Sequence, residues 1–164
     1  MRSGIKSIIL GTLMIRKAKV TDVKEIHSLL LNYSEKGLLL GRSLSDLYDQ
    51  IRDFYVFIDE KKNAMAGICG LHICWDKIAE IRSLAIKDEY KGQGMGIDLV
   101  NSCMNEAREF SNEQLFVLTY VPAFFEKLGF RHVDKKVLPH KVWADCINCI
   151  KFPNCDEEAM MIDL

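Results

Sequence analysis

The segment Tyr90-Lys91-Gly92-Gln93-Gly94-Met95-Gly96 sets alternating glycines between a strand-like run and a helical one, and few folds accommodate that junction. A helix start leaves backbone N–H groups without partners and carries partial positive charge. Glycines let a pyrophosphate come close to those donors. The residues alone leave two readings open, a flexible strand-to-helix turn and an anion cradle. A Rossmann dinucleotide site is a competitor, but it expects a βαβ unit first and an acidic residue about 20 positions further on. Here two hairpins precede the turn, which argues against it.

Those hairpins follow from the pattern of the chain. Leu13 to Lys17 reads as a short first strand. Thr21 and Asp22 offer capping oxygens before Val23, Ile26, Leu29, Leu30 and Tyr33, which recur at helical spacing. Ser43 can cap a second, short helix carrying Leu44, Leu47 and Ile51. Phe54 to Asp59, Ala64 to Cys74 and Ile78 to Lys87 read as strands joined by the turns Lys61-Lys62-Asn63 and Trp75-Asp76-Lys77. Gly67 and Gly70 interrupt the middle strand and permit a bulge or close packing. Gly94 to Phe110 reads as an amphipathic helix with Ile97, Leu99, Val100, Cys103, Met104 and Ala107 on its buried face. Gln114 to Thr119 is a dense apolar strand. Pro122 opens a short helix that Gly129 ends, and Phe130 to Val133 and Ala159 to Leu164 are further strands. The order predicts an α+β domain with a mixed, mostly antiparallel sheet flanked by helices.

With 164 residues, one domain is expected, over residues 14–164. Residues 1–13 are expected to be an extension outside the fold. The 22 basic and 23 acidic residues leave a net charge of −1, which gives no footprint for nucleic acid. No apolar run approaches ~18 residues, so no membrane span is expected. Without a secretion signal the cysteines are expected to be reduced and the protein cytoplasmic.

Two stretches together resemble the GNAT family of N-acetyltransferases. Ala79-Glu80-Ile81-Arg82-Ser83-Leu84-Ala85-Ile86 followed by Tyr90 to Gly96 is similar to the family's motif A. Phe124-Phe125-Glu126-Lys127-Leu128-Gly129-Phe130 is similar to its "FYEKLGF" motif B. The resemblance implies the GNAT fold and acetyl-CoA as cosubstrate. It implies that Leu84, Ala85 and Ile86 meet pantetheine, where the strand splays from its neighbour. It also implies that Lys91, Gly92, Gln93, Gly94, Met95 and Gly96 hold the pyrophosphate. Lys91 departs from the usual Gln or Arg but keeps a cation near phosphate. Within the family, Glu35 to Ser43 looks like the "GxLxxRS" segment of N-acetylglutamate synthases, and Gln114 to Thr119 looks like their "LFVLTT" strand. That match implies acetyl transfer to an amino acid, L-glutamate first, as in the entry to arginine biosynthesis. The expected partners are a small amino acid and, in a homodimer, a second copy.

Transfer to an amine needs a base, because an amino acid's amine is mostly ammonium at neutral pH. Glu80 is the candidate, matching the position of the base in histone acetyltransferases of this family; a solvated hairpin carboxylate is the structural alternative. Motif B carries Phe125 where relatives have a proton-donating tyrosine, so Tyr120 or solvent is left to protonate the thiolate. Arg42, with Ser43, is the candidate for an acceptor carboxylate, since Arg suits bidentate binding. Arg16, Lys77 and Arg82 are secondary candidates. At the C-terminal end the chain lacks the "YNYQRxS" segment of glutamate synthases and has Trp143 to Cys155 instead. Cys146, Cys149 and Cys155 invite a zinc reading with His140 or Asp145 as fourth ligand, although the spacing is not a standard knuckle. A packed or redox-sensitive thiol cluster is the alternative, and no metal is assigned. Acetylation of another amine, and an acyl-CoA sensor without turnover, are the rival functions.

Overall fold

Alternating burial builds the strands of this chain, and apolar stripes at helical spacing build its helices. The structure is a computed structural model that describes residues 8–10, 12–147, 149 and 151–164. Two compact units divide the chain, Met1–Gly70 with Ser83–Cys103, and Leu71–Arg82 with Met104–Leu164.

In the first unit, β1 (Ile8–Leu10), β2 (Leu13–Lys17), β3 (Phe54–Asp59) and β4 (Ala64–Ile73) pair in antiparallel succession. Ile8 lies opposite Ile15, Ile15 opposite Phe57 and Phe54 opposite Gly70. Residues 8–10 fall within the stretch expected to lie outside the fold, and they form the outermost of these strands. Their backbone N–H and C=O groups find partners along the β2 edge. Helix α1 (Val23–Glu35) buries Val23, Ile26, Leu29 and Leu30, the stripe its periodicity demands. Asp22 anchors its start by accepting the Lys19 amide at 2.7 Å and the Arg16 guanidinium at 2.7 and 3.0 Å. Burial raises the Asp22 pKa, but the Arg16 and Lys19 bonds outweigh it and leave the carboxyl below its ordinary value. Ser43 caps α2 (Leu44–Asp49), its hydroxyl accepting the Asp46 amide at 3.1 Å. Leu47 of α2 and Phe54, Val56, Met65, Ile68 and Ala85 complete the core around α1.

Strand β5 (Ile78–Ile86) gives Ser83–Ile86 to this unit, and the Lys87 amide bonds the Ala66 carbonyl of β4 at 2.9 Å. The β3–β4 register shifts between Phe57 and Ile58, the irregularity that a glycine in the facing strand permits. Gly67 also sits hard against β5. A Cβ there would collide with Ile86 Cδ1 and lie 3.0 Å from the Ala85 carbonyl oxygen.

In the second unit the chain reverses at Trp75-Asp76-Lys77, where the Cys74 and Trp75 amides both donate to the Ile78 carbonyl. Residues Ile78–Ile81 of β5 pair in parallel with β6 (Gln114–Thr119), Ile78 opposite Gln114 and Ile81 opposite Val117. The crossover between them contains helix α3 (Met95–Glu109), as a parallel connection requires. Strand β8 (Glu158–Asp163) runs antiparallel to β6 and pairs in turn with the short β7 (Arg131–His132). Cys74, Ile78, Phe116, Leu138, Ala159 and Met161 form the core here. Helix α4 (Pro122–Glu126) buries Phe125, which meets Phe124 and Phe130 edge to face at 5.0 and 5.3 Å. Helix α5 (His140–Ile147) lies where no element was expected. The eight strands and five α-helices of the described residues make an α+β fold whose sheet is mixed and mostly antiparallel. No helix among them is long and apolar enough to cross a membrane.

One expectation for α3 is corrected. Met95, Leu99, Val100, Cys103, Met104 and Ala107 are buried, whereas Ile97 is 39% exposed. Met95 fixes the stripe, and a residue two positions on points away from it.

Gly67→Ala is expected to destabilise the protein by about 1–3 kcal/mol, because a backbone oxygen has to move. At roughly 2–4 °C per kcal/mol for a chain of this size, the melting temperature drops by several degrees. A melting temperature unchanged in Gly67→Ala would mean that the strands part without cost.

Candidate active site

Within the first unit, β5 leads through a short 3₁₀ turn, Asp88–Tyr90, into the Gly-rich segment and α3. Gly92 and Gly94 have φ of 75° and 82°, and a Cβ built on either meets nothing within 4 Å. That backbone favours glycine, and the space beside it is open. The Asp98 amide reaches the Gly94 carbonyl at 3.2 Å, which makes it the first helical bond. The amides of Met95, Gly96 and Ile97 precede it, in the first turn, where a helix leaves its N–H groups without an intrahelical acceptor. The Met95 side chain is buried, so it anchors the helix and offers only its backbone. Gln93 is exposed and its Nε2 donates to the Glu89 carbonyl at 3.4 Å.

The approach to the turn is pinned from below. The buried Tyr90 hydroxyl donates to Asp59 Oδ2 at 2.9 Å, while Asp59 Oδ1 accepts the Lys61 and Lys62 amides at 3.1 and 3.3 Å. One carboxylate thus ties the β3–β4 turn to the residue before Lys91. Lys91 is exposed and bonded to Asp88 at 2.6 Å, with its ammonium 5.2 Å over the Tyr33 ring. The Asp88 bond holds the Lys91 pKa above its ordinary value, so a full cation stands at the mouth of the turn.

Ala85 is buried in the core, and Leu84 and Ile86 are half-buried. Ser83, just before them, has φ of 56°, a break in the extended strand that lies outside ordinary β geometry. Ile86 does not present bare backbone groups. Its amide donates to the Tyr33 hydroxyl at 3.1 Å, and that hydroxyl donates to its carbonyl at 2.6 Å. Arg42 reaches β5 as well, its Nε donating to Ser83 Oγ at 3.0 Å and its Nη1 standing 3.5 Å from Gln50 Oε1. Arg16 is instead engaged by Asp22, and Ser43 is a helix cap.

In the second unit, Glu80 and Arg82 alternate on one face of β5, as residues two apart in a strand do. Arg82 Nε and Nη2 both donate to Glu80 Oε2, at 3.1 and 2.6 Å, and the two side chains are only 7% and 14% exposed. Lys77 is exposed and paired with Glu113 at 2.6 Å. The Tyr120 hydroxyl donates to Asp156 Oδ1 at 2.7 Å. Lys151 Nζ bonds the same hydroxyl and lies 4.2 Å from the ring centroid. Burial raises the Tyr120 pKa, with Asp156 adding to it against the pull of Lys151.

Cys146, Cys149 and Cys155 are free and half-buried. The Cys149 amide donates to the Cys146 carbonyl at 3.0 Å, and the Cys155 thiol stands 3.8 Å from Glu157 Oε2. Burial pushes the Cys146 thiol up, helped by the neighbouring Cys155 and Cys149, and burial likewise raises Glu157. Among the described residues no group of three or more His, Cys, Asp or Glu is placed to hold a metal ion. Asn148 and Ile150, within the cysteine segment, lie outside the described residues.

The first unit therefore offers backbone donors and a cation suited to a polyphosphate, and the second a carboxylate oriented by a guanidinium. Sequence reasoning missed Tyr33, the Asp59–Tyr90 tether and the Lys151–Tyr120–Asp156 group. Tyr33 ends the apolar stripe of α1, so it reads as core; only its need for a hydroxyl partner hints otherwise.

Residues 20–130 match the model of the Acetyltransferase (GNAT) family. An uncharacterized N-acetyltransferase of Chlorobaculum tepidum is 35% identical over 147 residues, which is 90% of this chain and 94% of that protein. An amino-acid acetyltransferase of Mycobacterium tuberculosis is 31% identical over 122 residues, 74% of this chain and 70% of its own length. In fold, the chain resembles N-acetylglutamate synthase from Neisseria gonorrhoeae complexed with coenzyme A and N-acetyl-glutamate. The TM-score is 0.85 at 23% identity, over 95% of this chain and 36% of that one.

The tether predicts an alkaline signature. Burial, with Asp59 beside it, pushes the Tyr90 phenol up to about 12, against an ordinary value of about 10. Between those values the folded protein keeps a proton that the unfolded chain has lost, so stability falls as pH rises through that window. Denaturant unfolding at about pH 9 and about pH 11 should differ less in Tyr90→Phe than in the wild type. Equal differences in the two proteins would place the alkaline sensitivity elsewhere.

Proposed function

The chain belongs to the acetyltransferase (GNAT) family and is an acetyl-CoA-dependent N-acetyltransferase, and we propose that its acceptor is the α-amine of an amino acid, L-glutamate foremost. The products are then N-acetylglutamate and CoA, which places the reaction at the entry to arginine biosynthesis. The observation that carries this reading is the 31% identity to the mycobacterial amino-acid acetyltransferase, across 70% of that protein.

The chain's own groups divide the work. The amides from Gly92 to Gly96, with Lys91 beside them, take the pyrophosphate of acetyl-CoA, since the N-terminus of α3 favours negative charge. Leu84 and Ile86 pair with the pantetheine amides through their backbone. Glu80, directly or through a water, removes the proton from the acceptor ammonium. The freed amine attacks the thioester carbonyl, the tetrahedral intermediate gives up its second N–H proton to solvent and collapses with cleavage of the C–S bond, and the thiolate takes a proton from Tyr120 or from solvent. The bonds from Arg82 support the assignment of Glu80 by fixing one carboxylate oxygen. They also commit Arg82 to a positioning role, so it is a poorer choice for the acceptor carboxylate. Arg16 and Lys77 are likewise held by Asp22 and Glu113. Arg42 is the cation we assign to that carboxylate. Its Nε bond to Ser83 orients the fork, and a planar guanidinium suits the bidentate grip of a carboxylate.

Release of CoA from acetyl-CoA, followed with a thiol reagent across a panel of amino acids, tests the acceptor. Glutamate is expected to give the highest kcat/KM. Turnover on a peptide N-terminus or a polyamine, with none on any amino acid, would overturn the assignment. The role of Glu80 has its own test. Glu80→Gln keeps an acceptor for Arg82 but no base, so kcat is expected to fall at least ~10²-fold with acetyl-CoA affinity unchanged. Raising the pH should restore part of the loss, because free amine then forms unaided. A folded variant that retains more than about half of the wild-type kcat would exclude Glu80 as the base, on that magnitude.

A further inference from the structure

We infer that the Tyr33 hydroxyl occupies the place of the cosubstrate's pantetheine arm in the free protein and leaves when acetyl-CoA binds. The inference rests on the acetyl-CoA reading above and adds a residue of α1 to that site.

The case begins with direction. The Lys87 amide points to Ala66 of β4, so the N–H and C=O of Ile86 point to the opposite side of β5, because neighbouring residues in a strand alternate. On that side the groups meet one side-chain oxygen rather than another strand. A phenol hydroxyl supplies one donor and acceptor lone pairs, and Tyr33 spends both on one residue, at 2.6 and 3.1 Å. A strand edge in use as a binding surface needs a partner in the empty state too, since unpaired backbone groups away from water are costly. The pantetheine arm carries secondary amides, with the same complement of N–H donor and C=O acceptor. It can therefore replace the hydroxyl bond for bond.

The surroundings allow the exchange. Tyr33 is half-buried and borders a cavity of about 410 Å³ that is also lined by Ser28, Asn32, Lys87, Asp88 and Glu89. Leu29 lines the same cavity, which gives the ring a space to move into. Lys91 links the movement to the Gly-rich turn. Its ammonium is shared between the Tyr33 ring at 5.2 Å and Asp88 at 2.6 Å, so departure of the ring removes one of the two attractions that hold Lys91 back from a phosphate. Tyr33 thus competes with the cosubstrate at both its amide and its pyrophosphate ends.

Calorimetric titration with acetyl-CoA tests this in the wild type, Tyr33→Phe and Gly94→Val. Tyr33→Phe keeps the ring and removes the competing bonds, so it is expected to bind about threefold tighter or more, since hydrogen bonds of this kind have modest net worth. Gly94→Val should bind at least about tenfold more weakly, as its side chain blocks the phosphate approach. Amide exchange at Ile86 gives a second readout. It should be protected in the free wild type, fast in free Tyr33→Phe, and protected again in both once acetyl-CoA is bound. Unchanged or weakened affinity in Tyr33→Phe would make the contact a permanent brace and overturn the inference. If Tyr33→Phe does not fold, the ring resonances of Tyr33 in ¹³C-tyrosine-labelled wild type must shift on titration, and their constancy would overturn it equally. Failure of the wild type to bind acetyl-CoA would be a different result, felling the acetyl-CoA reading itself and this inference with it. Wild-type binding that Gly94→Val weakens and Tyr33→Phe leaves alone fells only the role of Tyr33.

Discussion

The contact between β4 and β5 at Gly67 is closer than any side chain would permit, and the Gly-rich end of the first unit depends on it. With no Cβ in the way, the Ala85 carbonyl and the Ile86 side chain settle against β4, and the Lys87 amide reaches Ala66. This seats Ala85 in the core beneath α1 and turns the backbone groups of Ile86 outward. It also sets where the chain leaves the strand, and therefore where the turn and α3 begin. The Asp59–Tyr90 bond fixes the next point along the path. A short glycine side and a buried hydroxyl together hold a loop whose own residues, Lys91 to Gly94, are exposed and make few bonds.

The second unit solves a different problem. It holds charged groups in pairs, from the nearly buried Glu80 and Arg82 to the exposed Asp156. Glu80 and Arg82 satisfy each other across one face of β5. Tyr120, Lys151 and Asp156 share one hydroxyl among an ammonium and a carboxylate. Pairing offsets the cost of taking such charges out of water.

Much of this was legible in the residues, for physical reasons that differ from place to place. Phe54–Asp59 and Gln114–Thr119 form strands with the bounds their dense apolar pattern implies. The glycine turn announces itself because positive φ and open space both demand glycine there. The cap at Ser43 is a local bond that spacing alone predicts. Other features were hidden. Residues 8–10 are too short a run to claim as a strand, and they become one only because β2 offers an edge. Helix α5 has an amphipathic pattern of ordinary strength, but it runs into the cysteine segment, which drew a metal reading instead of a helical one. Ile97 was misread because any apolar residue in a helical run seems to belong to its buried stripe. The partners of Arg16 and Lys77 lie at separations that spacing does not reveal. Arg82 is the exception, since a residue two positions from Glu80 on a strand must share its face. Tyr33 is hidden for the opposite reason, for its ring belongs to the stripe of α1 while its hydroxyl serves β5.

The Glu80–Arg82 pair also shapes how such a protein can diverge. Loss of one partner strands the other's charge in a half-buried place, a cost of several kcal/mol in fully buried pairs. Single changes at either position are therefore steps downhill in fitness before any new chemistry is gained. The two positions therefore change together or stay as they are, and a lineage that keeps one half of the pair keeps the other.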